Sequence, residues 1–184
     1  MQGLDPRRFG LVCAAAALVT GVTLAGCANR IEGVATPNAA EATAYRNLAS
    51  SSAAAATSSQ IAAARDRAVA DNCAQFPGTT GAGVAKYNEF VDAHDSNAPD
   101  YDAKRDAAVT AIDDAANQVQ GRADAAGTNL PEDLKAKLIE YVNAARALAQ
   151  ATGAMTYTSP VGPLNEASRR VNDARNAVRD ACPG

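Results

Sequence analysis

The 184-residue sequence predicts an all-α fold, an up-down bundle of four to five Ala-rich helices closed by one disulfide. Three observations carry that expectation. No segment alternates apolar and polar residues with period two, so no strand is expected. Apolar residues recur instead at steps of three and four, the signature of a single helical face. Between those runs stand Gly/Pro clusters and prolines followed by carboxylates, which start and stop helices.

Taken in order, Asn38 with Glu41 three residues on makes a capping-box-like start. It opens a helix over about 39–73. The Ser/Ala-rich centre of that helix reads equally well as flexible tether reaching about Ser59. "AQFPGTTGAG" then breaks the chain through Pro77, Gly78, Gly81 and Gly83. A second helix over about 82–96 carries Val84, Tyr87, Val91 and His94 at helical spacing, with Phe90 beside them. Pro99, Asp100 and Asp102 start a third, because proline suits the first turn and carboxylates suit the positive helix end. Its stripe is Val109, Ile112, Ala116, Val119 and Ala123.

Pro131, Glu132 and Asp133 repeat the same signal. The fourth helix steps 4-3-4-3-4 through Leu134, Leu138, Tyr141, Ala145, Leu148 and Thr152. After the loop "GAMTYTSPVGP", a fifth steps 3-4-3-4-3 through Leu164, Ala167, Val171, Ala174, Val178 and Ala181. Such stripes pack as a bundle with small crossing angles. Alanine at many seam positions lets backbones approach closely but buries little apolar area, so a covalent staple is useful.

The front of the chain sets a different expectation. Arg7 and Arg8 precede an apolar run from Phe9 to Ala25, the layout of a secretory signal peptide. The run is marginal for a bilayer span, and no later run of ~18 apolar residues follows. Leu24-Ala25-Gly26-Cys27 resembles the lipobox of bacterial lipoproteins. That resemblance implies cleavage before Cys27 and a diacylglyceryl group, with palmitate-type acyl chains, on its thiol. Each buried methylene contributes ~0.8 kcal/mol, so two chains anchor stably where one does not. The expected organisation is a signal peptide over 1–26, a tether over 27–38 (or to about 59) and a bundle domain over 39–184.

Removing residues 1–26 takes away Arg7, Arg8 and Asp5 and shifts the formal charge from −3 to about −4. No basic stripe is present to displace counterions, so nucleic acid is not an expected partner. Of four cysteines, Cys13 lies in the expected signal and Cys27 is the lipidation site that the resemblance implies. Cys73 and Cys182 remain, an even pair in an exported chain, and are expected to form a disulfide.

Candidate chemistry is sparse. His94 is the one histidine; it reads as a half-buried or capping residue rather than a haem or metal ligand beside Tyr87 or Tyr101, since one histidine provides poorly for a metal. Asp92, Asp95, Asp100, Asp102 and Asp106 surround a turn, yet no EF-hand register fits. Counting from Asp92, the loop glycine and final carboxylate positions hold Asn97 and Ala103; from Asp95 they hold Asp100 and Asp106. Arg169, Arg170, Arg175 and Arg179 share one helix, where Glu166–Arg170 and Arg169–Asp173 are i,i+4 partners on a solvated face. "GTTGAG" lacks the Lys-Ser/Thr of a phosphate loop.

The expected function is therefore that of a cell-envelope lipoprotein on the outer face of the cell membrane, non-enzymatic and without a cofactor. It would act as an interaction or accessory module toward an envelope protein or lipid. The alternative is a carrier of an apolar ligand, lipid or haem, between helices, with Tyr87, Phe90, His94, Tyr141 and Val142 as pocket residues. Ala-, Asp- and Arg-rich, lysine-poor usage is similar to that of small lipoproteins from mycobacteria and other high-GC actinobacteria.

Overall fold

A computed structural model describes residues 38–183 of the chain. Cys27 and the signal-like segment lie outside the described residues. Four α-helices follow one another: α1 (Ala39–Asp95), α2 (Tyr101–Ala126), α3 (Glu132–Gly153) and α4 (Gly162–Ala181). A single 3-10 turn, Gly127–Asn129, separates α2 from α3. No helix among the described residues is long and apolar enough to cross a membrane.

α1 and α2 run antiparallel, as their cross-contacts show. Lys104 on α2 reaches Glu89 on α1 at 2.9 Å, while Arg122, five turns further along α2, reaches back to Thr79 at 2.9 Å. Arg146 on α3 donates to Asn117 and Gln120 on α2 at 3.0 and 2.6 Å. α1 and α4 are joined by the Cys73–Cys182 disulfide, with Cα atoms 5.7 Å apart across 109 residues of chain.

The core follows the expected stripes on three helices. Ile112, Ala116, Val119 and Ala123 on α2 are buried, with Val109 half-buried. Every stripe residue of α3 is buried, and on α4 only Ala181, in the last turn, is partly exposed. Leu130 and Met155, in the connections that follow α2 and α3, close the ends of the core.

Two expectations for the front of the bundle need correction. The first and second helices are one continuous helix, because "AQFPGTTGAG" does not break it. Pro77 lies inside α1, where it removes the hydrogen bond to the Cys73 carbonyl, a defect of ~3 kcal/mol in an unsupported helix. Tertiary packing overrides this local preference. Phe76, Thr80 and Gly83 on the same stretch are buried in the bundle. A Cβ on Gly83 would stand 3.4 Å from the Ala111 carbonyl oxygen and the Ile112 Cα. At this position α1 and α2 lie in backbone contact, with room for a methyl group and no more.

The second correction concerns register. The buried line of α1 is Asn72, Phe76, Thr80, Gly83, Phe90 and Ala93. Val84, Tyr87, Val91 and His94 form its half-buried shoulder, turned toward α4. The helix starts where the sequence placed it: Asn38 caps it, its Oδ1 accepting from the Ala40 N–H at 3.0 Å. Residues 43–63 are helical and exposed on all sides, with Ser50, Ser51, Ser52 and Thr57 donating to carbonyls one turn back.

Candidate functional site

The half-buried shoulder of α1 and the inner edge of α4 enclose two hollows, and Tyr87 lines both. The smaller, about 80 Å³, lies where all four helices contribute. Its apolar wall is Val84, Ile112, Leu148 and Val171; Thr80, Asn88, Tyr141, Ser168 and Asn172 bring hydroxyls and amides to it. Burial pushes the Tyr87 phenol up, while the Ser168 side chain within hydrogen-bond reach pulls the other way. The Tyr141 phenol, deeper in the core, is pushed up to about 12 by burial, with Arg175 nearby opposing it.

The larger hollow, about 240 Å³, is lined by Tyr87, Phe90, Val91, His94 and Asp95 from α1 and by Val161, Leu164 and Asn165 at the start of α4. It sits beside an aromatic cluster that closes this end of the bundle. The Phe90 ring lies 5.6 Å from Tyr101 and 6.5 Å from His94. Tyr157, from the α3–α4 connection, stacks on Tyr101 at 4.3 Å and on His94 at 6.0 Å. Its hydroxyl donates to the Ala98 carbonyl at 2.7 Å, which ties that connection to the turn between α1 and α2. Asn97 makes the turn possible with a φ of 52°, a left-handed conformation asparagine tolerates better than most residues.

The five pocket residues named from the sequence thus divide. Tyr87, Phe90 and His94 share the larger hollow, and Tyr141 joins Tyr87 only in the smaller one. Val142 is packed in the core. Ser168 and Asn172 went unread because they flank the α4 stripe, where a polar residue looks like surface. The spacing of Leu164, Ser168, Val171 and Asn172 along one helical edge is the signal that was available.

Other candidate chemistry resolves into local pairs. His94 Nδ1 lies 3.2 Å from Asp95 Oδ1, and its Nε2 is buried with no partner among the described residues. Asp102 and Asp106 both engage Arg105, at 2.8 and 2.9 Å, so the acidic turn does not converge. No group of three or more His, Cys, Asp or Glu side chains suited to a metal ion occurs among the described residues. Of the two expected pairs on α4, Glu166–Arg170 forms at 2.5 Å, whereas Arg169 and Asp173 form none. The α1–α4 seam thus combines apolar walls with a few hydroxyls and amides.

A family model described as the Rv2240c four-helix bundle domain matches residues 55–183. No curated protein and no solved structure matches the chain.

Proposed function

We propose, for a chain that belongs to the Rv2240c four-helix bundle domain family, the role of a lipid-anchored, non-enzymatic binding module of the cell envelope. In this reading the chain is exported, acylated at Cys27 and held on the outer face of the cell membrane. The bundle then meets an envelope protein or lipid through the α1–α4 seam. The observation that carries the proposal is Leu24-Ala25-Gly26-Cys27 at the end of an apolar run that begins after Arg7-Arg8. The Cys73–Cys182 bridge supports it, because disulfides form and persist in oxidising compartments outside the cytoplasm. The mycobacterial name of the family agrees with the actinobacterial character of the composition.

Mass spectrometry of the native protein tests the anchor: Cys27 is expected at the N-terminus, carrying acyl chains. Cys27→Ala should release the protein from membranes in detergent-free buffer at high salt. Membrane retention of that variant under those conditions would overturn the proposal.

A second reading, a carrier, draws on the two hollows either side of Tyr87. At about 80 and 240 Å³, each is smaller than the ~300–1,000 Å³ of ordinary small-molecule pockets. The seam as it stands suits a small apolar ligand or the end of an acyl chain better than haem. Lipid mass spectrometry of the detergent-purified protein decides this reading: a stoichiometric copurifying ligand supports it, and its absence counts against it.

A further inference from the structure

Away from the seam, α1 and α2 part over four small residues. Ala64 and Ala68 on α1 and Ala125 and Ala126 on α2 leave a crevice of about 360 Å³, within the ~300–1,000 Å³ range of small-molecule sites. Three ionised side chains stand around that methyl-lined space: Arg67 and Asp71 from α1, and Arg122 from α2. Arg122 is half-buried. It donates through Nη2 to Thr79 Oγ1 at 2.9 Å, but its Nε is buried without an acceptor.

Among the described residues no carboxylate comes within ion-pair distance of Arg122. Burial therefore lowers the basicity of this guanidinium with no compensating charge. Two arginines elsewhere in the bundle are ion-paired. Arg105 holds two carboxylates and Arg170 holds one. Arg67 has no ion pair among the described residues either, and Asp71, one turn along the same helix, pairs with neither arginine. The crevice thus carries two uncompensated guanidiniums and one carboxylate.

We propose that this crevice is an oxyanion site for a singly charged phosphodiester, held from α1 by Arg67 and from α2 by Arg122. A tetrahedral phosphate presents diverging oxygens that two guanidiniums on facing helices can take at once, whereas a planar carboxylate is satisfied by a single arginine fork. The net charge of the three groups, one positive unit, matches a monoanion. A phosphomonoester would bring a second negative charge toward Asp71. The phosphodiester has two sources, the headgroup of an anionic phospholipid or a free glycerophosphodiester, and the site chemistry is the same for both. The proposal does not depend on the lipid anchor or on the α1–α4 seam.

Calorimetric titration of the full chain in non-ionic detergent micelles tests it, with two probes: glycerophosphoglycerol in solution, and phosphatidylglycerol mixed into the micelles. Binding of either probe should weaken by about tenfold or more in Arg122→Gln and in Arg67→Gln, as expected for loss of a charge-assisted hydrogen bond. Asp71→Asn should tighten it several-fold, an effect that a purely structural role for these residues would not produce. Arg170→Gln, on an exposed face of α4, should leave it unchanged. Binding of the soluble probe alone identifies a free diester, and binding of the micellar probe alone identifies a lipid headgroup. The proposal is overturned if neither probe binds the native chain, if both Arg→Gln variants bind as it does, or if Asp71→Asn weakens binding. Arg67 lies on an exposed part of α1, so its variant keeps the test valid even if Arg122→Gln perturbs the fold.

Discussion

The Phe76 ring meets the Tyr141 ring nearly edge to face, centroids 5.0 Å apart at 77°, and so ties α1 to α3 across the centre of the bundle. Phe76 immediately precedes Pro77. The side chain that packs deepest on this turn therefore stands where the local sequence would end the helix. An aromatic pair of this geometry contributes ~0.5–1.5 kcal/mol beyond its burial, and burying the phenylalanine contributes ~1.5–3 kcal/mol. Together they are comparable with the ~3 kcal/mol defect of an interior proline.

Phe76→Ala should accordingly destabilise the protein by ~3–5 kcal/mol, a large share of the ~5–15 kcal/mol typical of a domain. Leu48→Ala, on the exposed part of α1, should change stability by no more than ~0.5 kcal/mol. Urea unfolding followed by circular dichroism measures both. Equal effects would mean that the Phe76–Tyr141 contact does not hold α1 in place.

The Cys73–Cys182 bridge pins the end of α4 to the middle of α1. Its reduction, or the double change Cys73→Ala with Cys182→Ala, should lower unfolding free energy by ~2–5 kcal/mol. Non-reducing peptide mapping should recover the two peptides linked. Coincident denaturation curves with and without reductant would rule out a stabilising bridge.

Leu148 is buried in the α3 seam, and Arg146 lies at its edge, donating to Asn117 and Gln120. Leu148→Asp puts an unpartnered carboxylate in an apolar site and should cost several kcal/mol, enough to unfold a marginal domain. Arg146→Asp forfeits two interhelical hydrogen bonds, each worth ~0.5–1.5 kcal/mol net. Thermal melts should rank the two variants in that order. The reverse ranking would place the α3 face incorrectly.

α3 and α4 were legible in the sequence because local pattern and tertiary demand agree there. Leu134 to Thr152 and Leu164 to Val178 step without interruption and are the residues the core buries. The disulfide followed from the number of cysteines left after the signal segment. α1 was less legible for two physical reasons. Pro77, Gly78 and Gly81 announce a break that packing of Phe76, Thr80 and Gly83 overrides. In the last turns, Phe90 and Ala93 take the buried line, and the larger neighbours Tyr87 and His94 sit on the shoulder. That rotation is also why the candidate site divides into two hollows, with Tyr141 on the far side of Tyr87. The crevice around Arg67 and Arg122 left no trace in the sequence, since it depends on which alanines of two helices face each other.

Burial of Tyr141 makes a pH prediction with a definite sign. Its phenol ionises near 10 in the unfolded chain and is pushed up to about 12 in the fold. Below the lower value both states keep the proton, and stability is unaffected. As pH rises between the two values the unfolded chain releases a proton that the fold retains, so stability falls, by about 2–3 kcal/mol in all. Tyr87 and Tyr101, also raised by burial, act in the same direction. Urea midpoints at about pH 9 and about pH 11 should differ for the native chain, and the difference should shrink in Tyr141→Phe. An unchanged difference in that variant would assign the alkaline loss to other groups.

Gly78 and Gly81 separate a continuous α1 from a broken one most cleanly. Both lie within the helix, neither has a positive φ, and a Cβ added at either meets nothing within 4 Å. Alanine there keeps every contact and removes the conformational freedom that glycine gives the unfolded chain. Each of Gly78→Ala and Gly81→Ala should therefore raise stability, by ~0.4–1 kcal/mol. Gly83 behaves differently, because a Cβ there would already touch the backbone of Ala111 and Ile112 at 3.4 Å, leaving no room for a longer side chain. Gly83→Leu should force α1 away from α2 and cost ~1–3 kcal/mol. A loop at this stretch, as the local sequence suggests, would use glycine at left-handed φ, and alanine at positions 78 and 81 would then destabilise. Chemical denaturation of the three variants discriminates: two gains and one loss follow from a continuous helix, and losses at all three positions would restore the break.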